Sequence, residues 1–405
     1  MADILKPRDG KDAEEAVRWA LANDKALEVM GAGTKRGIGR PSQTDLTLDL
    51  SGLDGVTLYE PEELVLSAKA GTTLAEIEKL LDYNDQEFAF EPPDYGPLLG
   101  GAAGQATIGG VIAANLAGPR RLKAGAARDH FLGVHAVTGR GETIKSGGRV
   151  VKNVTGYDLC KVIAGSYGTL AAMTDVTIKT LPKSETEQTV VLLGLDDAAV
   201  SGPMAAAMGS SCDVSGAAHL PAHVVRRFEG LDPGRAVTAF RIEGVKPSVT
   251  HRRDMLAALL KPFGVVETLA EQHSRALWRA VRDVAPFAAT GDSHERPLWR
   301  VSTPPGSGFE LSAMISPGAQ MFYDWGGGLV WILMPTADGA GGEPLRQAVA
   351  TLGGHATLVR ASASVRAATD VFQPQDEALA ALTKRVKDSF DPKGILNPGR
   401  MWAGV

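Results

Sequence analysis

Residues 100–118, GGAAGQATIGGVIAANLAG, carry glycine or alanine at 12 of 19 positions. A run with so little side-chain volume cannot build a core of its own. It makes sense where the backbone must come very close to another body. Inside it Thr107, Ile108, Gly109 and Gly110 offer a hydroxyl, an apolar contact and two positions without Cβ. A flat ring, or one side of a diphosphate, could lie against such a backbone; tight helix–strand packing is the alternative for these four residues taken alone.

Toward the N-terminus lies a second glycine loop, Gly31-Ala32-Gly33-Thr34-Lys35, which follows an expected strand at Leu27–Met30. The dinucleotide-fold fingerprint fails here. It needs a third glycine or alanine where Arg36 stands, and Gly37, Gly39 and Pro41 disfavour the helix that should open at the loop. What remains is a run of small residues whose successive N–H groups can curl round an anion as a nest, with Lys35 and Arg36 adding positive charge. An ordinary tight turn is the alternative.

The elements around the loops follow from periodicity. Ala13, Ala16, Val17, Ala20 and Leu21 share a helical face, with Asp12 as expected N-cap and Glu15 completing a capping box. Leu46, Leu48 and Leu50 alternate as in a strand, Leu64–Ala68 reads as another, and Leu74, Ile77 and Leu81 mark a helix. A third glycine-bearing stretch, Val150 to Leu170, leads into a strand over Asp175–Thr180 that Pro182 is expected to stop. Past the polar run Lys183–Gln188 short strands and helices alternate. Strands are expected at Thr189–Gly194, Ala236–Ile242, Leu329–Met334 and His355–Val359. Helices are expected at Pro247–Leu259, Glu271–Arg282, Pro344–Leu352 and Asp376–Phe390.

Composition bounds the function. With 405 residues the chain suggests two or three folding units, and a net charge of −5 argues against a phosphate-tracking nucleic-acid binder. Two cysteines, Cys160 and Cys212, make neither a disulfide framework nor a four-ligand metal cluster. Residues 1–10 lack an apolar signal core, and 18 uninterrupted apolar residues occur nowhere. A cytoplasmic protein is expected, peripheral to a membrane only through partner subunits.

The order and spacing of the three glycine stretches resemble the FAD-binding domain shared by vanillyl-alcohol oxidase and p-cresol methylhydroxylase (PCMH). The resemblance implies an α+β fold: a PCMH-type two-subdomain FAD-binding domain over residues 1–182, an α+β cap over 183–375, and a C-terminal segment, 376–405, returning to the FAD domain. It implies that Met30, Gly31, Ala32, Gly33, Thr34 and Lys35 wrap the pyrophosphate of FAD. Thr107, Ile108, Gly109, Gly110, Asn115 and Gly118 would run along the flavin, and Tyr157, Asp158, Gly168, Thr169 and Leu170 would border the pyrophosphate and adenine. Asn397 belongs to the closing Asp391-Pro392-Lys393-Gly394-Ile395-Leu396-Asn397-Pro398-Gly399, which resembles the family's terminal signature.

Within that family Glu91–Gly96, Ala117–Arg121, Val151–Leu159, Leu298-Trp299-Arg300 and Asn397–Met401 resemble the E-subunit branch of bacterial glycolate oxidases. This implies a complex with a second, catalytic FAD-binding subunit and an iron–sulfur subunit, oxidising glycolate and related small 2-hydroxy acids to glyoxylate and its analogues. The expected role is electron relay or assembly. A stand-alone 2-hydroxy-acid oxidase and a non-catalytic scaffold are the alternatives.

Departures from the family sharpen this. Thr34 stands where some members attach flavin through histidine, and residues 100–118 lack cysteine, so noncovalent FAD is expected. The histidine-bearing cap segments of the catalytic members are missing. Gly291-Asp292-Ser293-His294 reads as a turn, and His219 and His223, with Pro221 between them, read as surface or loop histidines rather than metal ligands. No catalytic residue and no metal are assigned. Trp278, Trp299, Trp325 and Trp331 read as cap core before they read as a substrate pocket. Arg120-Arg121 is either an exposed solvated pair or a grip for a carboxylate or an acidic partner.

Overall fold

The computed structural model describes residues 3–149, 156–228, 230–232 and 234–405. The Val151–Thr155 part of one family motif lies outside the described residues.

A small parallel sheet comes first, in the order Asp3–Leu5, Leu46–Asp49, Leu27–Met30. The helix Gly10–Ala22 buries Ala13, Val17 and Ala20 against it, as the apolar stripe requires. Its N-cap is Asp9, not Asp12. The Asp9 backbone is extended and its carboxylate accepts from the N–H groups of Lys11 and Asp12, while Asp12 is turned back to Arg8. Leu50 is not the end of a strand but opens a 3-10 turn, because Asp49 caps Ser51 N.

A five-stranded antiparallel sheet follows, ordered Val56–Glu60, Val65–Lys69, Ala171–Lys179, Phe131–Thr138, Thr143–Gly147. The helix Leu74–Tyr83 buries Leu74, Ile77 and Leu81 as its spacing predicts, with Thr73 as N-cap. Pro182 does not stop chain pairing: Leu181–Pro182 forms a short ladder with Gln86–Glu87, an edge position where a missing N–H is tolerated.

The next sheet has eight antiparallel strands, ordered Val265–Leu269, Thr186–Leu193, Val237–Gly244, Gly216–Leu220, Gln320–Asp324, Leu329–Leu333, Leu298–Ser302, His355–Arg360. Its first central strand begins inside the polar run, at Thr186, because Thr186 and Glu187 bond to Glu271 and Ser274 instead of facing water. The strand Gly216–Leu220 eluded the sequence reading, since its Gly and Ala content gives no β signal.

Alternation divides this sheet into two faces. Leu298, Phe322, Trp331, Leu333 and Val359 join one core with Phe90, Tyr95 and Phe131 of the preceding region. Trp299, Val301, Tyr323, Val330 and Ile332 point the other way and pack with residues of the cap helices, among them Leu256 and Val349. One face of the cap sheet therefore lies directly on the N-terminal region.

The final helix, Glu377–Phe390, is capped by Asp376. Beyond it the chain runs back to the first sheet, with Leu27 N–H donating to Ile395 O (2.7 Å) and Asn397 N–H to Leu27 O (2.9 Å). The buried Lys387–Asp391 pair at 2.7 Å holds this return, Lys387 also donating to Thr169 O and Leu396 O. Among the described residues no helix is long and apolar enough to cross a membrane.

Candidate cofactor-binding site

The strand Leu27–Met30 ends at Gly31, and what holds that end comes from far along the chain. Asn397, fully buried, accepts from Val29 N–H at 2.8 Å and donates to Tyr167 O at 2.8 Å. It thereby ties the first loop to the turn Tyr167-Gly168, both in the left-handed region at φ 52° and 74°. Arg400 reaches the same loop, donating from Nη2 to Lys35 O at 2.9 Å.

These elements enclose a narrow, half-open groove. Met30, Gly31, Ala32, Gly33, Thr34 and Lys35 line one wall; Thr107, Gly109 and Gly110 line another; Gly168 closes it. The walls meet too closely for side chains. A Cβ on Gly31 would lie 2.6 Å from Thr107 Oγ1, and one on Gly110 would lie 3.2 Å from that oxygen and 3.4 Å from Lys35 Nζ. Gly109 also serves packing, as a Cβ there would meet Ala70 O at 2.7 Å. The packing reading therefore holds for Gly109, while Gly110 lines the groove. Thr107 N-caps the helix Ile108–Ala113.

The groove is prepared for an anion. Among the described residues the N–H groups of Ala32, Gly33, Thr34 and Lys35 bond to no protein acceptor. Lys35 is buried, and its ammonium bonds only Thr34 Oγ1, at 3.1 Å. Burial pulls its pKa down to about 8, with the Asp94 charge pulling the other way. Arg400 Nε is likewise buried without a partner among the described residues. A diphosphate would meet a nest of free N–H groups and an uncompensated ammonium. Ala70, Ala113, Ala114 and Ala171 leave room for flat rings beside it. The residues present fit FAD.

Other expected site residues stand elsewhere. Ile108, Thr169 and Leu170 are buried behind the lining, Thr169 bonding Ser166 O. Asn115 accepts from Arg128 N–H, and Gly118 packs against Glu91 and accepts from Trp325 Nε1. Tyr157 is 91% exposed and, like Asp158, lies outside the groove lining. Tyr167, inside the third glycine stretch, lines the groove, and the sequence reading missed Met173, Leu50 and Arg400 as lining residues. Arg400 comes 365 positions after Lys35, and no local pattern connects them.

Two expectations on charged groups are overturned. Arg120 is not a solvated residue; it lies in a buried cluster with Glu87 (3.0 Å), Glu243 (2.7 Å) and Glu91 (3.5 Å). Arg241 of the cap completes the cluster with two bonds to Glu91, 2.7 and 2.8 Å long, and stacks on Trp278. Burial opposes the Arg120 charge, but the three carboxylates outweigh it and hold the pKa well above its usual value; burial pushes Glu87 up to about 7. His219 is not a surface histidine. It is a fully buried strand residue between Thr238 Oγ1 at 2.9 Å and Asp197 at 3.3 Å. His223 stands in the short helix Ala222–Val225, at 3.3 Å from Met321 N–H. The four tryptophans are buried, three of them with their N–H groups bonded.

Similarity to known proteins completes the identification. The FAD binding domain family matches residues 2–147, and the FAD linked oxidases, C-terminal domain family matches residues 371–401. The chain is 32% identical over 391 residues to glycolate oxidase subunit GlcE of Escherichia coli (strain K12), covering 96% of each chain. The chain belongs to the FAD-linked oxidase family. This FAD-linked oxidase is also 25% identical to glycolate oxidase subunit GlcD of Bacillus subtilis (strain 168), over 99% of its own length and 88% of that protein. Among solved structures, 4-ethylphenol oxidase from Gulosibacter chungangensis superposes with a TM-score of 0.70 at 14% identity, covering 99% of this chain and 89% of that one. Alkyldihydroxyacetonephosphate synthase superposes with 0.66 at 15% identity, covering 98% and 75%. At such identities these two show the shared PCMH-type fold. The chain is an FAD-dependent oxidoreductase, and the groove is the place in it that fits the cofactor.

Proposed function

We propose that this chain is the FAD-binding subunit of a complex that oxidises glycolate, and related 2-hydroxy acids, to glyoxylate and its analogues. The observation that carries this is the 32% identity, end to end, with a protein named as a glycolate oxidase subunit. The reaction removes two electrons and two protons from the alcohol carbon and its hydroxyl, and FAD, held noncovalently, supplies the two-electron acceptor. Gly31, Gly33, Lys35, Thr107, Gly110 and Gly168 hold the cofactor, with Asn397 and Arg400 positioning the loop. Division of the chain near residues 182 and 375 into FAD domain, cap and returning segment is supported by the start of the eight-stranded sheet at Thr186 and by the bonds of residues 395–397 to Leu27. A catalytic flavoprotein subunit and an iron–sulfur subunit are the proposed partners, and this chain serves electron relay or assembly beside them.

A second reading, oxidation by this chain alone, is favoured by one observation. Asp324 is buried on the cap face that meets the FAD domain, and burial lifts its carboxyl to about 7, a value suited to proton transfer. Absorbance of the purified chain before and after anaerobic glycolate separates the two. Flavin bands that persist with glycolate and bleach once the partners are added support the relay; bleaching of the isolated chain supports the second reading. A chain that binds no FAD sinks both.

A further inference from the structure

Trp325 bridges the cap and the N-terminal region, its indole N–H donating to Gly118 O at 3.0 Å. Its backbone is held in the left-handed region at φ 54°, costly for an aromatic residue and sustained by the Asp324 carboxylate on Trp325 N–H at 2.7 Å. Two guanidiniums sit on this one indole. Arg121, from the helix Arg121–Ala124, lies 4.8 Å from its centroid, and Arg300, from the strand Leu298–Ser302, lies 5.0 Å from it. Among the described residues neither guanidinium has a hydrogen-bonding or acidic partner. Burial and the neighbouring Arg300 charge both disfavour the charge on Arg121. The Asp129 charge pulls the other way on Arg121, and Asp324, within electrostatic reach of Arg300, has its own carboxyl lifted by burial to about 7.

Two unpaired cations of like sign, each about 5 Å from one ring, are an arrangement a structure keeps when an anion completes it. The place also suits a small ligand. Arg300 pairs across the sheet with Trp331, which meets Tyr95 edge-on at 5.9 Å. The phenols of Tyr95 and Tyr167 are raised by burial, and in both the Arg300 charge pulls the other way, which puts Arg300 within electrostatic reach of each. Tyr167 itself lines the cofactor groove, so Arg300 stands within electrostatic reach of the groove lining.

We infer that Arg121 and Arg300, clamped on Trp325, form a binding site for the carboxylate of a small organic acid beside the cofactor groove. The inference rests on the 2-hydroxy-acid reading for the acid's identity, but not for its charge. It assigns to this chain a share in binding the acid, even where a partner subunit carries out the oxidation.

The test uses the FAD-loaded chain and follows flavin absorbance during titration with oxalate, a carboxylate with no alcohol to oxidise, and with ethylene glycol as the neutral control. In Arg121→Met and in Arg300→Met the oxalate Kd rises about ten- to a hundredfold, the loss of one charge-assisted contact. The double variant is little worse than either single one because both grip the same anion. Arg300→Lys recovers part of the affinity, while FAD content and the response to glycol stay unchanged. An oxalate Kd that does not move in the single variants overturns the site, and so does loss of subunit assembly with an unchanged Kd, which would mean that the pair grips an acidic segment of a partner. Arginine-dependent oxalate binding in a complex that leaves glycolate unoxidised would sink the functional reading and leave the site standing. Glycolate oxidation at unchanged KM in both variants would do the reverse.

Discussion

Arg120 and Arg121 are consecutive in the chain and opposite in circumstance. Arg120 is packed among Glu87, Glu91 and Glu243, with Arg241 beside it, so every charge in that cluster meets an opposite one. Arg121, one residue on, lies over Trp325 with Arg300 as its nearest charged companion on the ring. The first arrangement fastens the cap sheet to the N-terminal region; in the second, among the described residues, the guanidiniums have no acid bonded to them. Identical chemistry thus serves cohesion where its charge is satisfied within the fold and recognition where it is left open. Lys35 in the groove belongs with Arg121: buried, cationic and short of an acid.

The largest effect expected from this contrast is on the closed cluster. Arg241→Met leaves Arg120, among the described residues, as the one cation beside the buried carboxylates of Glu87, Glu91 and Glu243 and should cost about 3–5 kcal/mol of stability, read from urea denaturation. A loss below about 1 kcal/mol would break the comparison. Next, Asn397→Ala removes the bonds to Val29 and Tyr167 and puts alanine at φ 42°, for about 2–4 kcal/mol and a marked loss of FAD. Retention of full FAD content would show that the first loop holds its shape without the C-terminal segment.

Lys35→Met should weaken FAD binding about tenfold with little loss of folding stability, since the ammonium lacks an acid partner to strand. The pH dependence has a definite sign. In the apoprotein the Lys35 pKa is depressed to about 8, against about 10.5 unfolded. The buried charge therefore costs stability at low pH, and the cost is relieved as pH rises from about 8 to about 10.5. FAD should bind the charged form, so its affinity should fall above pH 8 in the wild type and stay flat in the variant. Parallel profiles for the two would remove Lys35 from the phosphate site.

The smallest effect is on Arg121. Arg121→Met should change stability by no more than about 0.5 kcal/mol in thermal melts, because relief of the repulsion with Arg300 offsets the lost stacking. A large destabilisation would place Arg121 with Arg120 as a structural residue.

Legibility in the sequence follows the range of the interactions. Helices with a full apolar stripe stand where spacing puts them: Glu271–Arg282 agrees to the residue, as does the strand Leu27–Met30. The strand Gly216–Leu220 was hidden because its pleat is filled by Gly, Ala and a buried histidine whose partners, Asp197 and Thr238, lie about 20 residues away on either side. Asp12 was the expected cap, and the extended backbone at Asp9 gave that place to Asp9 instead. Of the groove, the loops were legible because glycine marks each close approach, as at Gly31 and Gly110. Arg400 was not, since its place depends on a chain reversal hundreds of residues long.

The sequence by itself marked where backbone comes close, as at Gly31 and Gly110, because only a missing Cβ allows that approach; that the glycine stretches belong to one PCMH-type domain followed from their resemblance to the family. Whether a given charge is sealed or open was decided by the tertiary structure alone. Arg120 and Arg121 have the same side chain and are consecutive in sequence. Their difference arises from Glu243 on one cap strand and from Arg300 on another, brought to adjacent positions by an eight-stranded sheet that no local signal encodes.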